Sequence, residues 1–315
     1  VLQKELVRNA AYLSLTSEDW NLRSRLLREM IESCVLCGRE CRVGRTTGGI
    51  GTCGIGPEPV ISSYGPHFGE ERPLVGRHGS GTIFFTGCNL HCAFCQNYDI
   101  SQLGRGHTVH LRQLAQVMLS LQDRGCHNIN LVTPTHQLPG IVAALALAVP
   151  LGLRLPIVYN CGGYESVDAL RLLDGIVDIY MPDMKYGNNA FGLKLSGVPD
   201  YWDRNRAAVL EMHRQVGDLE IVRTPDGYEV ATRGLLVRHL VLPARLAGTE
   251  EVSRFLADEI STSTYLNIMD QYRPCFRAHG SAEIGRPITT SEYLEAVGVA
   301  RAAGLWRFDG QRGGF

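Results

Sequence analysis

Three cysteines at 88, 92 and 95, spaced C-x3-C-x2-C, are the residues of this chain most clearly suited to chemistry. They lie in Thr82-Ile-Phe-Phe-Thr-Gly-Cys88-Asn-Leu-His-Cys92-Ala-Phe94-Cys95-Gln-Asn97-Tyr98. The apolar run Ile83 to Phe85 reads as a short buried strand, and Gly87 ends it. Thiolates this close on one loop can share one metal centre. A four-iron cluster takes four ligands, so three cysteines leave one iron open to a substrate or cofactor. A structural zinc takes four protein ligands, with cysteines in C-x2-4-C pairs rather than a triplet on one loop. Zinc or simple buried thiols also leave Phe94 and the preceding strand unexplained.

Upstream, Cys34, Cys37, Cys41 and Cys53 form C-x2-C-x3-C-x11-C, a complete ligand set for structural zinc or an auxiliary four-iron cluster. Spacing leaves the two metals open. Gly49-x-Gly51-x-x-Gly54 in the same stretch matches the dinucleotide fingerprint formally. It follows no strand, opens no helix and contains Cys53, so these glycines are read as letting the backbone wrap the metal. Seven of the ten cysteines thus fall in two tight groups, which points to metal rather than disulfides and to a reducing cytoplasm.

The 315 residues are 44% hydrophobic, with 31 basic and 32 acidic residues and no long run of either sign. That gives one large domain with an appendage and none of the basic stripe expected of a nucleic-acid binder. No apolar run approaches membrane-spanning length, and Val1-Leu-Gln-Lys-Glu does not read as a signal peptide. The organisation expected is a helical segment over 1–33, a four-cysteine module and linker over 34–78, and the main domain over 79–315. The first helix is placed after a Ser17 cap.

From Thr82 onward strands and helices alternate, which predicts a parallel sheet. Strands are expected over Ile83–Phe85, Asn128–Thr133, Ile157–Asn160, Ile176–Asp183, Leu235–Leu242 and Tyr265–Asp270. Between the fourth and fifth lie a helix over Trp202–Val216 and a hairpin turning at Asp226-Gly227. Thr289-x-x-Glu292 is a capping box that starts the last helix. Pro57 to Gly79 reads as a connection. His107-x-x-His110 precedes a surface helix and reads as solvent-exposed.

Cys88-x3-Cys92-x-Phe94-Cys95 after a first strand resembles the signature of the radical S-adenosylmethionine (SAM) superfamily. Within it, the chain is similar to homologues of pyruvate formate-lyase activating enzyme from about Cys34 to Asp309. Gly79-Ser-Gly-Thr-Ile-Phe-Phe, Asn130-Leu-Val-Thr-Pro-Thr-His136, Tyr159-Asn-Cys-Gly-Gly-Tyr-Glu165, Met181-Pro-Asp-Met-Lys-Tyr186, Leu236-Val-Arg-His-Leu-Val-Leu-Pro243 and Asn267-Ile-Met-Asp-Gln-Tyr-Arg-Pro274 carry the likeness. The resemblance implies an α/β fold, a partial (β/α)6 TIM-type barrel, here with a small N-terminal Cys-rich module. It implies a [4Fe-4S] cluster on Cys88, Cys92 and Cys95, with SAM chelated to the open iron and cleaved on reduction.

In such a barrel the chemistry sits at the carboxyl ends of the strands. The expected SAM-binding residues are Phe94 and Asn97, then Thr133, Thr135 and His136 where relatives carry Gly-Gly-Glu, then Asn160. Asp183 and Lys185 match the activating-enzyme pattern at the SAM ribose and carboxylate. Arg238 and His239 point to opposite faces, so at most one reaches the site. Asp270, Gln271, Tyr272 and Arg273 are placed to hold substrate. Cys126 reads as a buried thiol, whereas Cys161 and Cys275 fall at strand ends.

A thiol opposite a substrate carbon radical can return hydrogen to the other face and invert the centre. The favoured reading is therefore an epimerase of a small polyhydroxylated substrate, with Cys161 or Cys275 as donor and a flavodoxin- or ferredoxin-type reductant. The alternative is an activase that installs a glycyl radical on a partner enzyme.

Overall fold

Short apolar runs bounded by Gly, Pro or Asn make the strands, and amphipathic helices cover them. The computed structural model describes residues 10–310; Val1-Leu-Gln-Lys-Glu and the rest of 1–9 lie outside them, so the 1–33 segment is described only in part. The strands are β1 Val60–His67, β2 Ser80–Phe85, β3 His107–Thr108, β4 Ile129–Val132, β5 Ile157–Cys161, β6 Ile179–Pro182, β7 Glu220–Arg223, β8 Glu229–Leu240 and β9 Tyr265–Met269. They join in the order β3-β1-β2-β4-β5-β6-β8-β7, with β9 on the far half of β8. Strands β2, β4, β5, β6, β8 and β9 run parallel and are the six expected from the sequence. The result is an α/β partial barrel with a Cys-rich region before it.

The helices are α1 Ser17–Glu29, α2 Arg72–Val75, α3 Tyr98–Ser101, α4 Leu111–Asp123, α5 Leu138–Ala148, α6 Val167–Arg171, α7 Asn189–Ser196, α8 Tyr201–Val216, α9 Thr249–Phe255 and α10 Thr290–Ala302. The Thr289–Glu292 capping box is present. At α1 the cap is Thr16, boxed with Asp19, one residue before the Ser17 expected. The hairpin joins β7 to β8, with Gly227 at φ 89° in its turn. No helix among the described residues is long and apolar enough to cross a membrane.

Pro57 to Gly79 is more than a connection. It supplies β1, which pairs antiparallel with β2, and α2, whose Leu74 packs inside the curved sheet. β1 carries Ser62, Ser63, Gly65 and Pro66, so it lacks the apolar alternation that marks a strand in sequence. His107 and His110 are both exposed, and Cys126 is buried, as read.

Strand parity decides what reaches the mouth. Along β5, Ile157, Tyr159 and Cys161 belong to the large core between sheet and helices. Val158 instead joins Leu74, Ile179, Met181 and Leu236 in a smaller core inside the curve. Successive side chains alternate faces, so Asn160 looks inward and Cys161 outward.

Candidate active site

Gly87, at φ 82°, turns the chain out of β2 into the cysteine loop, and a Cβ there would lie 2.4 Å from the Cys53 carbonyl oxygen. Each sulfur of the triplet meets a hydrogen-bonding group. Leu90 N–H donates to Cys88 Sγ at 3.3 Å, Ser196 Oγ to Cys92 Sγ at 3.0 Å, and Cys95 Sγ lies 3.2 Å from Ser101 Oγ. Burial, with Cys92 alongside, pushes the Cys88 and Cys95 thiols up, so these two sulfurs favour the protonated form without metal. Metal supplies the charge that makes them thiolates, and the surrounding donors then orient and stabilise those thiolates. The triplet therefore fits an iron–sulfur cluster. Among the described residues no three His, Cys, Asp or Glu side chains converge on a single ion. Phe94 fixes the loop by edge contacts with Tyr186 and Tyr272, at 6.4 and 5.9 Å between ring centroids. Asn97 is exposed at the start of α3.

Facing the loop from inside the barrel is a charged group from β5, β6 and β8. Arg238 donates to Asp183 Oδ1 at 2.8 Å and to Asn160 Oδ1 at 2.7 Å, and Lys185 Nζ closes on Asp183 Oδ2. The Asp183, Lys185 and Arg238 side chains are 13–20% exposed, and Asn160 is buried. Burial opposes ionisation of Asp183, but Arg238 and Lys185 outweigh it and hold the carboxyl below its ordinary range. Burial likewise opposes the Lys185 ammonium, and Asp183, with Cys92 beyond it, more than offsets that. The cluster loop thus faces the Asp183 carboxylate and two fixed cations. That arrangement suits a ligand carrying both signs of charge.

Other expected contacts are turned elsewhere. Thr135 is fully buried and donates to Glu165 Oε1 at 2.9 Å, behind the sheet. His136 is buried with Nε2 at 2.8 Å from the Thr86 carbonyl, and burial takes its pKa down to about 4. Both stand on a 3-10 turn, Thr135–Gln137, where strand alternation no longer applies. Thr133 of that segment follows β4 directly and is half-buried, at φ 58°. Between Arg238 and His239 the inward residue is Arg238. His239 faces the helices, held by the Met184 carbonyl at 2.6 Å and Thr249 Oγ1 at 2.9 Å.

Cys161, expected at the mouth as a candidate donor, lies elsewhere in the structure. It is 2% exposed on the outer face of β5, beside Tyr159 and Glu165, and is turned away from the mouth. Cys275 is half-buried in the segment after β9, which lies over the cluster loop. There Gln96 Nε2 donates to the Gln271 carbonyl at 3.3 Å, Arg277 to the His91 carbonyl at 2.9 Å, and Phe276 stacks on Tyr98 at 4.9 Å. Tyr272 is buried and donates to the Ile284 carbonyl at 2.6 Å, so it fastens this segment and is not free for substrate. Asp270, Gln271 and Arg273 are exposed at the rim.

The four-cysteine module abuts the same loop. His91 Nε2 lies 3.0 Å from the Thr52 carbonyl, Arg39 donates to the Asn89 carbonyl at 2.6 Å, and the Cys37 backbone bridges Glu165. A Cβ on Gly51 would lie 2.7 Å from Cys41 Sγ, so this glycine makes room for a sulfur. Sequence reasoning left unassigned Ser101 and Ser196 at the triplet's sulfurs, Glu165 and Arg45. Ser196 is distant in sequence from Cys92 and carries no local signal. Glu165 carried one, an acidic residue just past a buried strand.

Residues 82–222 match the family model described as the radical SAM superfamily. The uncharacterized protein MJ0674 of Methanocaldococcus jannaschii is 32% identical over 295 residues, covering 90% of this chain and 79% of that protein. Among solved structures, native anSMEcpe with bound AdoMet and Cp18Cys peptide matches at TM-score 0.45 and 10% identity, over 67% of this chain and 55% of that one. Streptococcus suis SuiB bound to precursor peptide SuiA matches at TM-score 0.46 and 12% identity, over 71% and 46%. This chain spans about half the length of those two structures. With a cysteine triplet after the first parallel strand, the matching family model and a relative aligned over 90% of this chain, the chain belongs to the radical SAM superfamily.

Proposed function

We propose that this enzyme epimerises a small polyhydroxylated substrate and that Cys275 is the hydrogen donor. When bound, the [4Fe-4S] cluster and SAM supply a 5′-deoxyadenosyl radical able to take hydrogen from a substrate C–H bond. Cys88, Cys92 and Cys95 hold the cluster. Asp183, Lys185, Arg238 and Asn160 orient the charged groups of SAM, with Thr133 at their edge. Asp270, Gln271 and Arg273 offer hydrogen-bonding groups for hydroxyls. The Cys275 S–H bond breaks as its hydrogen goes to the substrate carbon on the opposite face. The sulfur then takes one electron and one proton, the electron from a flavodoxin- or ferredoxin-type donor. A metal at Cys34, Cys37, Cys41 and Cys53, zinc or an auxiliary cluster, belongs to the same reading.

The observation that carries it is the position of Cys275 in the segment packed over the cluster loop, with Cys161 on the far face of the sheet. The test is anaerobic turnover in D2O with SAM, dithionite and a panel of sugars and sugar derivatives. Wild type should give 5′-deoxyadenosine and a product with one deuterium at an inverted carbon. Cys275→Ala should still give the nucleoside but no inverted product. Inversion that survives Cys275→Ala sinks the proposal. A glycyl-radical signal on an added partner enzyme would instead favour the activase.

A further inference from the structure

Arg45 is the largest fully buried side chain among the described residues, 1% exposed. Its guanidinium donates to the Gly56 carbonyl at 2.5 Å, and Nη1 points at Cys34 Sγ, 4.0 Å away. Nε has no partner. Among the described residues no carboxylate pairs with it. A guanidinium does not give up its proton in a protein, so a full positive charge is buried here. An uncompensated charge of that kind is costly.

Four neutral thiols do not balance it, but four thiolates on a metal do. Their four negative charges on a zinc ion, or on an oxidised four-iron cluster, leave a net charge of about −2 in either case. We propose that Arg45 is the counter-cation of an anionic tetrathiolate metal centre on Cys34, Cys37, Cys41 and Cys53. This rests on the reading that these four cysteines bind metal. It adds that the module is electrostatically incomplete without metal. Because Cys53 and Thr52 touch the start of the cluster loop, filling the centre also braces the loop that carries Cys88.

The test uses the full chain, purified anaerobically, with Cys88, Cys92 and Cys95 changed to Ala so that only the second centre holds metal. Iron, zinc and acid-labile sulfide per chain identify the occupant: sulfide and iron for a cluster, zinc alone for a single ion. In that background Arg45→Met should release metal to a chelator about tenfold faster, while Arg45→Lys stays close to the parent. Melting temperatures separate charge balance from ordinary packing. Arg45→Met should melt lower than its parent when metal is bound, and no lower once both are stripped. Equal losses in loaded and stripped forms, or unchanged metal release, would overturn the counter-cation role and leave the metal site standing. Absence of metal from the triple-alanine protein would overturn the metal reading itself. If Arg45→Met does not fold, Arg45→Lys carries the test, because rapid metal loss from a variant that keeps the charge contradicts the proposal.

Discussion

The inner and outer faces of the parallel sheet are both polar near the carboxyl ends of its strands, and they handle that polarity in opposite ways. Inside, Asp183 is ionised between Arg238 and Lys185, and the group stays partly open. Outside, Glu165 is enclosed with Tyr159 and Thr135, each donating to it at 2.9 Å, and among the described residues it has no cationic partner. Burial pushes Glu165 up to about 7, and its hydrogen bonds offset that only in part. The two carboxyls therefore differ in charge because one has cations beside it. Fixed charge is kept where a charged ligand can meet it. Where nothing enters, the acid is held near neutrality by protonation.

The hardest test of that division is Asp183→Asn. It leaves Arg238 and Lys185 facing each other with their shared counter-charge gone. Breaking a buried pair this way costs about 3–5 kcal/mol, and misplacing the two cations should slow 5′-deoxyadenosine formation by about 100-fold. Urea unfolding and single-turnover nucleoside formation measure the two effects. Glu165→Gln is the partner experiment and should leave nucleoside formation within about threefold, since Glu165 lies behind the sheet and its Gln replacement is isosteric. Equal loss in both variants would end the distinction between the faces.

Stability against pH sharpens the comparison within the outer layer. Glu165 binds its proton more tightly folded than unfolded, so its burial makes stability fall as pH rises from about 4.5 to about 7. His239 is the reverse case. Burial lowers its pKa to about 4 from 6.5, so the unfolded chain binds more protons in that window and stability is lost as pH falls through it. Each contributes on the order of 3 kcal/mol across its window. Melting curves from pH 4 to 8 should show Glu165→Gln steepening the rise of stability with pH and His239→Gln flattening it. Identical profiles for the two variants would mean that neither group titrates as its surroundings dictate.

Much of this was legible in the sequence because it is local. The six parallel strands, the β7–β8 hairpin, the Thr289 capping box and both cysteine groups are written in runs of a few residues. The inner place of Arg238 and the outer place of His239 follow alternation once Asp183 shows which face is polar. Alternation along β5 would also have sent Cys161 outward, opposite Asn160. Thr135 and His136 could not be placed that way, because the strand has ended and a 3-10 turn sets their directions. Ser196 beside Cys92 is a contact across 104 residues, and nothing near either residue announces it. Arg45 looks like any surface arginine until the fold closes over it.

The smallest effect concerns Thr133, where the inner face meets the rim. A β-branched residue at φ 58° is strained, and its N–H is held by the Asn160 carbonyl at 2.8 Å. Such strain costs about 1–3 kcal/mol, and glycine removes it while adding about 0.4–1 kcal/mol of unfolded-state entropy. Thr133→Gly should therefore raise stability by about 1 kcal/mol on balance. If the strained residue is kept because it aims its hydroxyl at SAM, the same variant should bind SAM more weakly. Tighter folding with weaker SAM binding, read by urea unfolding and equilibrium dialysis, would place Thr133 with the inner, ligand-facing group. A variant that loses stability would show that the methyl and hydroxyl contacts of Thr133 outweigh the backbone strain, and position 133 would then belong with the closed, structural side of the sheet.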